Sequence, residues 1–254
     1  MITSSANGQI KNLIKLQKSA KARKQQGVFL VEGLRLFREV PKEQIVKVYI
    51  TEEFLEKHEE LLQEIEYELV TNQVLKEASD TKTPQGVMAV VKMLKYSLDE
   101  LKGYDNPCFM VLENIQDPGN LGTIIRTSEG ANITAVLMSE DTVDIYNSKV
   151  VRSTMGSIFR TKFIYLSMEE IFTFLKEEKI TTYGAHLDGQ DFYEEDYKTA
   201  CAFFIGNEGN GLTEETTRLV ERKIKIPMYG QIESLNAAIA GTVLMYEAMR
   251  QRRQ

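Results

Sequence analysis

After Pro107 the chain alternates short apolar runs with helical stretches. The runs cover residues 108–112, 133–138, 163–166, 181–185, 202–205 and 223–226. Runs this short, with almost no polar alternation, predict strands buried on both faces. Such strands fit a parallel sheet whose crossovers are helices. A longer helix is predicted over 234–250, so this half reads as an α/β domain.

The amino-terminal part has its own pattern. Ile10, Leu13 and Ile14, continued over 17–20, follow helical spacing, and Gly27 ends the helix. Strands are predicted over 28–31, 45–50 and 86–91, with helices over 33–40 and 53–62. This is a second, smaller α/β unit. A polar stretch with Gly103, Asn106 and Pro107 follows and marks a linker. The expected division is residues 1–95, a linker over 96–106, and a domain over 107–254.

The chain has 254 residues, 43% hydrophobic and 27% charged, enough to bury sizeable cores. No apolar run approaches the roughly 18 residues that span a bilayer, so no membrane partner is expected. The amino terminus leads into a basic stretch and not a continuous apolar one, so no secretory signal is expected. Cys108 and Cys201 each lie inside an apolar run and read as free buried thiols in a reducing compartment. The expected location is the cytoplasm. His58 and His186 form no metal constellation with the cysteines, so no metal is expected.

The net charge of −6 argues against a nucleic-acid partner only if charge is spread evenly. It is not, and screening makes local distribution decide. Residues 1–31 carry Lys11, Lys15, Lys18, Lys21, Arg23 and Lys24 and no acid. This arm can hold phosphates, or it can be a solvated helix face.

Three later segments carry more Gly, Asn, Asp and Glu at strand ends than turns require. In the first, over 113–127, Asp117 or Asn120 can cap a helix beginning near Asn120, with Pro118 in its first turn. Arg126 follows inside that helix, and a helix amino terminus beside an Arg suits an anion or a hydroxyl. In the second, Gly206, Gly209 and Gly211 follow a strand with GxxGxG spacing. That is neither the dinucleotide fingerprint nor a P-loop. Glu208 among them suits an uncharged or cationic ligand better than phosphate. In the third, over 226–240, Ser234 reads as a helix cap, and Ala237, Ala238, Ala240 and Gly241 predict a close packing contact. Asn236 is not explained by packing.

Together the segments resemble the signature motifs of the SpoU family of the SPOUT superfamily of RNA methyltransferases. The family blocks are N-x-x-D-P-x-N-x-G-x-x-x-R, G-N-E-G-x-G-L and I-P-M-x-G-x-x-x-S-L-N. They match at Asn114, Asp117, Pro118, Asn120, Gly122 and Arg126; at the run from Gly206 to Leu212; and at Ile226, Pro227, Met228, Gly230, Ser234, Leu235 and Asn236. The first 95 residues resemble the family's L30e-like substrate-binding domain, through Val31, Glu32 and Gly33 and the stretch from Thr81 to Gly86. Ala237 and Ala238 stand where members often carry branched residues or serine.

The resemblance implies an α/β protein whose carboxyl-terminal domain has a parallel sheet and a trefoil knot, preceded by the smaller L30e-like domain. Pattern reasoning alone would not propose a knot. It implies transfer of a methyl group from S-adenosyl-L-methionine to a ribose 2′-hydroxyl of structured RNA, ribosomal RNA before transfer RNA. Carried over, Arg126, Asn120, Glu208 and Asn236 serve catalysis. Gly206, Ile226, Leu235, Ser234 and Leu187 serve the cofactor, with Ala185 and His186 beside them. Arg126 is either the base or an orienting donor, since a guanidinium has a pKa above about 12. The family resemblance also implies a homodimer. The rival reading is a non-catalytic RNA-binding protein that aids ribosome assembly.

Overall fold

The computed structural model describes residues 1–253. They form two compact units: Met1–Leu94 with Asp144–Phe159, and Lys95–Val143 with the chain from Arg160 onward.

In the first unit the basic stretch makes two helices, not one. Gly8–Lys18 stops at Ser19, whose backbone is extended and whose hydroxyl accepts from the Ala22 N–H at 3.2 Å, capping Ala20–Gln26. Gly27 ends the second helix in the left-handed region, φ 65°, where glycine carries no steric cost. The sheet contains β1 (Val28–Glu32), β2 (Ile45–Ile50), β3 (Tyr67–Leu69) and β4 (Val87–Lys92) in the order β1-β4-β2-β3. β4 runs antiparallel to both its neighbours, and β3 is parallel to β2. Ile10, Leu13 and Leu16 of the first helix join Val74, Leu75 and Ala78 in the core. The helix expected over 33–40 is shorter, Leu34–Phe37, and the one expected over 53–62 divides into Glu52–His58 and a 3-10 turn over Glu59–Leu62.

Arg23 departs from the basic-arm reading. It is buried, donates to the Leu16 and Gln17 carbonyls at 2.7 and 3.2 Å, and pairs with Asp144 at 2.6 Å. Its charge is spent inside the unit, anchoring the segment 144–159 with its helix Ser148–Thr154. Lys11, Lys15, Lys18, Lys21 and Lys24 are all exposed.

The second unit is built on an all-parallel six-stranded sheet. Its strands are β5 (Cys108–Leu112), β6 (Ala135–Ser139), β7 (Phe163–Leu166), β8 (Thr181–Asp191), β9 (Cys201–Ile205) and β10 (Arg222–Lys225). Their order is β10-β8-β9-β5-β6-β7. Every residue of the central β5 and β9 is buried, as their unbroken apolar runs require. Cys108 and Cys201 face each other on these strands, free and buried, with sulfurs 3.6 Å apart. β8 runs beyond residue 185, and its later residues pair with β10 after a register shift. The crossing is tight: a Cβ on Gly189 would lie 2.4 Å from the Ile224 carbonyl carbon.

The last helix begins later than expected. It spans Ala237–Arg252 and is capped by Asn236, whose Oδ1 accepts from the Ala238 and Ile239 N–H groups at 2.9 and 3.3 Å. Ser234 lies in the preceding turn and is no cap. Gly241 sits over Met110, where a Cβ would meet its methyl at 3.1 Å, which accounts for the small residues of this helix. The polar interval after residue 95 is held on this unit: Leu98–Leu101 is a short helical turn with Leu101 buried. Among the described residues, no helix is long and apolar enough to cross a membrane.

Candidate active site

The three polar segments leave the carboxyl ends of β5, β9 and β10, where open parallel sheets bind ligands. After β5, Asn114 takes a left-handed backbone, φ 56°. Its N–H donates to Ser139 Oγ at 2.8 Å, and its carbonyl accepts from Asn207 Nδ2 at 2.9 Å. The helix that follows is Pro118–Gly130, and Asp117 is its cap, accepting from the Asn120 N–H at 2.9 Å. That leaves the Asn120 side chain free for other partners.

The anion position at this helix start is filled by the chain itself. The Glu208 carboxylate accepts from the N–H groups of Gln116 and Asp117, at 3.1 and 2.9 Å, and from Asn120 Nδ2 at 2.9 Å. Burial alone would raise this carboxyl, but the hydrogen bonds from Asn120, Asp117 and Gln116 outweigh it and hold it below its ordinary value. Asn236 Nδ2 donates to Asn120 Oδ1 at 2.9 Å, so each of the three segments contributes one member to a Glu208–Asn120–Asn236 chain. Asn120 is nearly buried, and its carbonyl and one N–H are both engaged, which fixes its amide orientation.

Beside this chain lies a cavity of about 450 Å³. Leu187, Gly206, Ile226, Ser234 and Leu235, the expected cofactor residues, all line it, as do Ala185, His186 and Glu208. The glycine loop closes on itself, Asn207 and Gly211 exchanging backbone hydrogen bonds at 3.0 and 2.8 Å. A Cβ on Gly206 would lie 2.1 Å from the Gly211 carbonyl carbon, so only glycine fits there.

The lining fits S-adenosylmethionine. The volume is that of a small-molecule pocket. Ile226, Leu235 and Leu212 offer apolar surface for an adenosine, while Asp188, Glu208 and Glu233, against the one cation Lys225, favour a positively charged ligand over a phosphorylated one. Arg126 does not line the cavity; it is exposed and has no partner among the described residues. Asn120 and Asn236 do not line it either and reach it only through Glu208. Among the described residues no group of His, Cys, Asp and Glu is placed to hold a metal ion. Sequence reasoning passes over Glu113, a carboxylate buried where β5 ends. Its signal is a lone acid directly after an unbroken apolar strand.

Comparisons with known proteins agree with this arrangement. Residues 107–246 match the SpoU rRNA Methylase family and residues 7–89 an MRM3-like substrate binding domain. The chain is 31% identical over 247 residues to the 23S rRNA (guanosine(2553)-2′-O)-methyltransferase RlmP of Bacillus subtilis, covering 96% of this chain and 97% of that one. The tRNA (guanosine(18)-2′-O)-methyltransferase of Thermus thermophilus is 36% identical over 149 residues, covering 56% of this chain and 74% of the relative. The crystal structure of the SpoU methyltransferase AviRb from Streptomyces viridochromogenes in complex with AdoMet superposes with a TM-score of 0.89 at 27% identity, covering 98% of this chain and 99% of that one. With the second and third motif segments lining one cavity and the first tied to it through Glu208, the chain belongs to the SpoU rRNA methylase family, and with it to the S-adenosylmethionine-dependent RNA 2′-O-methyltransferases.

Proposed function

We propose that this chain methylates a ribose 2′-hydroxyl of ribosomal RNA, with residues 107–254 as the catalytic domain and residues 1–95 as the RNA-holding domain. The observation that carries the reading is the Glu208–Asn120–Asn236 chain beside a cavity lined by every expected cofactor residue. The ribosomal substrate is supported by likeness to RlmP over both halves, whereas the Thermus tRNA enzyme matches over little more than half the chain.

S-Adenosylmethionine, when bound, supplies a sulfonium methyl as electrophile. Leu187, Ile226 and Leu235 would hold its apolar parts, Gly206 would bring backbone close to it, and Ser234 would offer a hydroxyl. Arg126 donates to the RNA phosphate and the attacking ribose oxygen, bringing the hydroxyl into line. Asn120, its amide held by Glu208 and Asn236, presents a fixed edge to the ribose. The hydroxyl proton passes to solvent water as the new oxygen–carbon bond forms, and we assign Arg126 to hold that oxygen by donating to it.

We propose further that the chain works as a homodimer in the cytoplasm. Ile239 and Tyr246 are large hydrophobics exposed on the last helix, which packs on the helix carrying Arg126. Exposed apolar side chains on one helix offer contact area that a second copy can cover. The packing of this helix on Pro118–Gly130, which carries Arg126, supports a site completed by a second copy. The tight approach of β8 to β10 at Gly189 supports the knotted course of the family.

The test is transfer of labelled methyl to RNA from cells lacking the protein, followed by alkaline hydrolysis. The 2′-hydroxyl is the internal nucleophile of that hydrolysis, so its methylation leaves a resistant labelled dinucleotide. Such a dinucleotide from ribosomal RNA is the expected result. Label only in mononucleotides would mean base methylation, and label confined to transfer RNA would reassign the substrate. Cofactor binding without label in any RNA would favour the non-catalytic reading.

A further inference from the structure

Glu113 touches neither cavity nor any side chain of opposite charge, yet it is 6% exposed. A carboxylate this buried is costly unless its lone pairs are answered. Here neutral donors answer both oxygens. Oε2 accepts from the Thr213 N–H at 2.9 Å, and Oε1 accepts from the hydroxyls of Thr213 and Thr216 at 2.8 and 2.6 Å. The Thr213 hydroxyl thereby gives its single proton to Glu113, while its lone pair caps the short helix Glu214–Leu219 through the Thr216 N–H at 3.2 Å.

The same residue holds the other end of the glycine loop. The Glu113 N–H donates to the Ile205 carbonyl at 2.9 Å, one residue before Gly206. Thr213 follows Leu212, the last loop residue lining the cavity. Glu113 therefore grips the loop from Gly206 to Leu212 at its entrance through the backbone and at its exit through the carboxylate. The loop itself has no slack, since a Cβ at Gly206 would collide with the Gly211 backbone. A loop rigid within itself moves as a body, and its place is set by its two anchors.

We propose that Glu113 is a positioning residue of the cofactor site, setting the cavity wall formed by the glycine loop. This rests on the reading of the cavity as the S-adenosylmethionine site. Glu208 and Glu113 then clamp in opposite directions: the loop's acid on the backbone after β5, and the acid ending β5 on the loop's exit.

The test uses the full chain, with equilibrium dialysis of labelled S-adenosylmethionine and steady-state methyl transfer. Glu113→Gln keeps the shape but turns an amide donor toward one of the three donors now satisfied. Its Kd and KM for the cofactor are expected to rise about tenfold. kcat at saturating cofactor and KM for RNA are expected to stay within about threefold. Thr216→Val removes one donor and is expected to raise the cofactor KM by about threefold. The double variant is expected to be no worse than Glu113→Gln, because both act through one clamp.

Cofactor affinities within about twofold of wild type in both variants would overturn the proposal. So would kcat and RNA KM worsening in step with the cofactor KM and with melting temperature, which marks a merely structural role. If Glu113→Gln does not fold, the Thr216→Val split between cofactor KM and kcat decides alone. A wild-type chain that binds no S-adenosylmethionine would instead remove the cofactor reading itself.

Discussion

The Glu208 carboxylate and the Asn120 amide, 88 residues apart in sequence, meet at 2.9 Å over the start of the helix Pro118–Gly130. A helix start offers free N–H groups to an anion, and here the protein's own acid takes the offer. This separates the site from phosphate-cradling loops and ties two of the three motif segments together.

That pairing predicts a pH dependence. The hydrogen bonds hold the Glu208 carboxyl below its ordinary 4.5. Its contribution to loop docking is therefore fully present above that value and is lost as pH falls through the lower folded-state one. Cofactor affinity should be level from neutral pH down to the ordinary carboxylate range and then fall. Glu208→Gln should bind more weakly at neutral pH, without that acidic step. Dialysis across the pH range checks both.

Arg126 is exposed and lies outside the cavity lining. Arg126→Ala should therefore abolish methyl transfer, by about 100-fold or more, as for loss of a charge-stabilising donor, while cofactor affinity stays within a few fold. Appreciable turnover would sink the assignment of Arg126. Arg126→Lys should not restore activity, because a point charge lacks the planar fork.

Gly206→Ala should abolish cofactor binding. The new Cβ would meet backbone atoms of Gly211 and Leu212 at 2.1–2.2 Å, and backbone cannot rotate aside as a side chain can. The clash opens the loop and leaves the sheet intact, so circular dichroism should be unchanged while dialysis shows no binding.

The Arg23–Asp144 pair should prove structural. Arg23 is buried and the Asp144 side chain 21% exposed, so removing Arg23 strips a partly desolvated carboxylate and two backbone carbonyls of their donor and costs about 1–3 kcal/mol. Arg23→Ala should therefore lower the urea midpoint of the first unit clearly. Arg23→Met, which fills the same volume, should lower it too, since the Leu16 and Gln17 carbonyls lose their donor. An unchanged midpoint in both would show the pair to be idle.

The lysines of the same stretch should behave differently. Every RNA phosphate that a lysine ceases to neutralise lowers the slope of log affinity against log salt by about 0.7 to 0.9. Lys15→Ala with Lys18→Ala should weaken RNA binding most at low salt and flatten that slope. Measurement of RNA affinity across a salt series checks it, and an unaltered slope would remove this face from RNA binding.

Much of this is legible in the residues. The six apolar runs of the second unit are its six strands, and the three polar segments lie at the ends of three of them. Asn236 stands out because packing does not explain it, and it proves both a helix cap and a partner of Asn120. The cap expected at Ser234 falls instead on Asn236, since both residues are good caps and only backbone geometry selects between them. Arg23 reads like the lysines around it because sequence does not reveal which side of a helix is covered by a segment 121 residues away.

The local choices are legible in the residues alone: strand against helix, and which three segments carry chemistry. Those choices depend on neighbours within a few residues, through period, propensity and capping. That Glu208 fills the helix start, that Glu113 grips the glycine loop from outside, and that Asp144–Phe159 groups with the first unit emerge from the folded chain. These interactions join residues 88, 100 and 121 positions apart. Each depends on segments that only the assembled sheets bring side by side, which no stretch of chain can do alone.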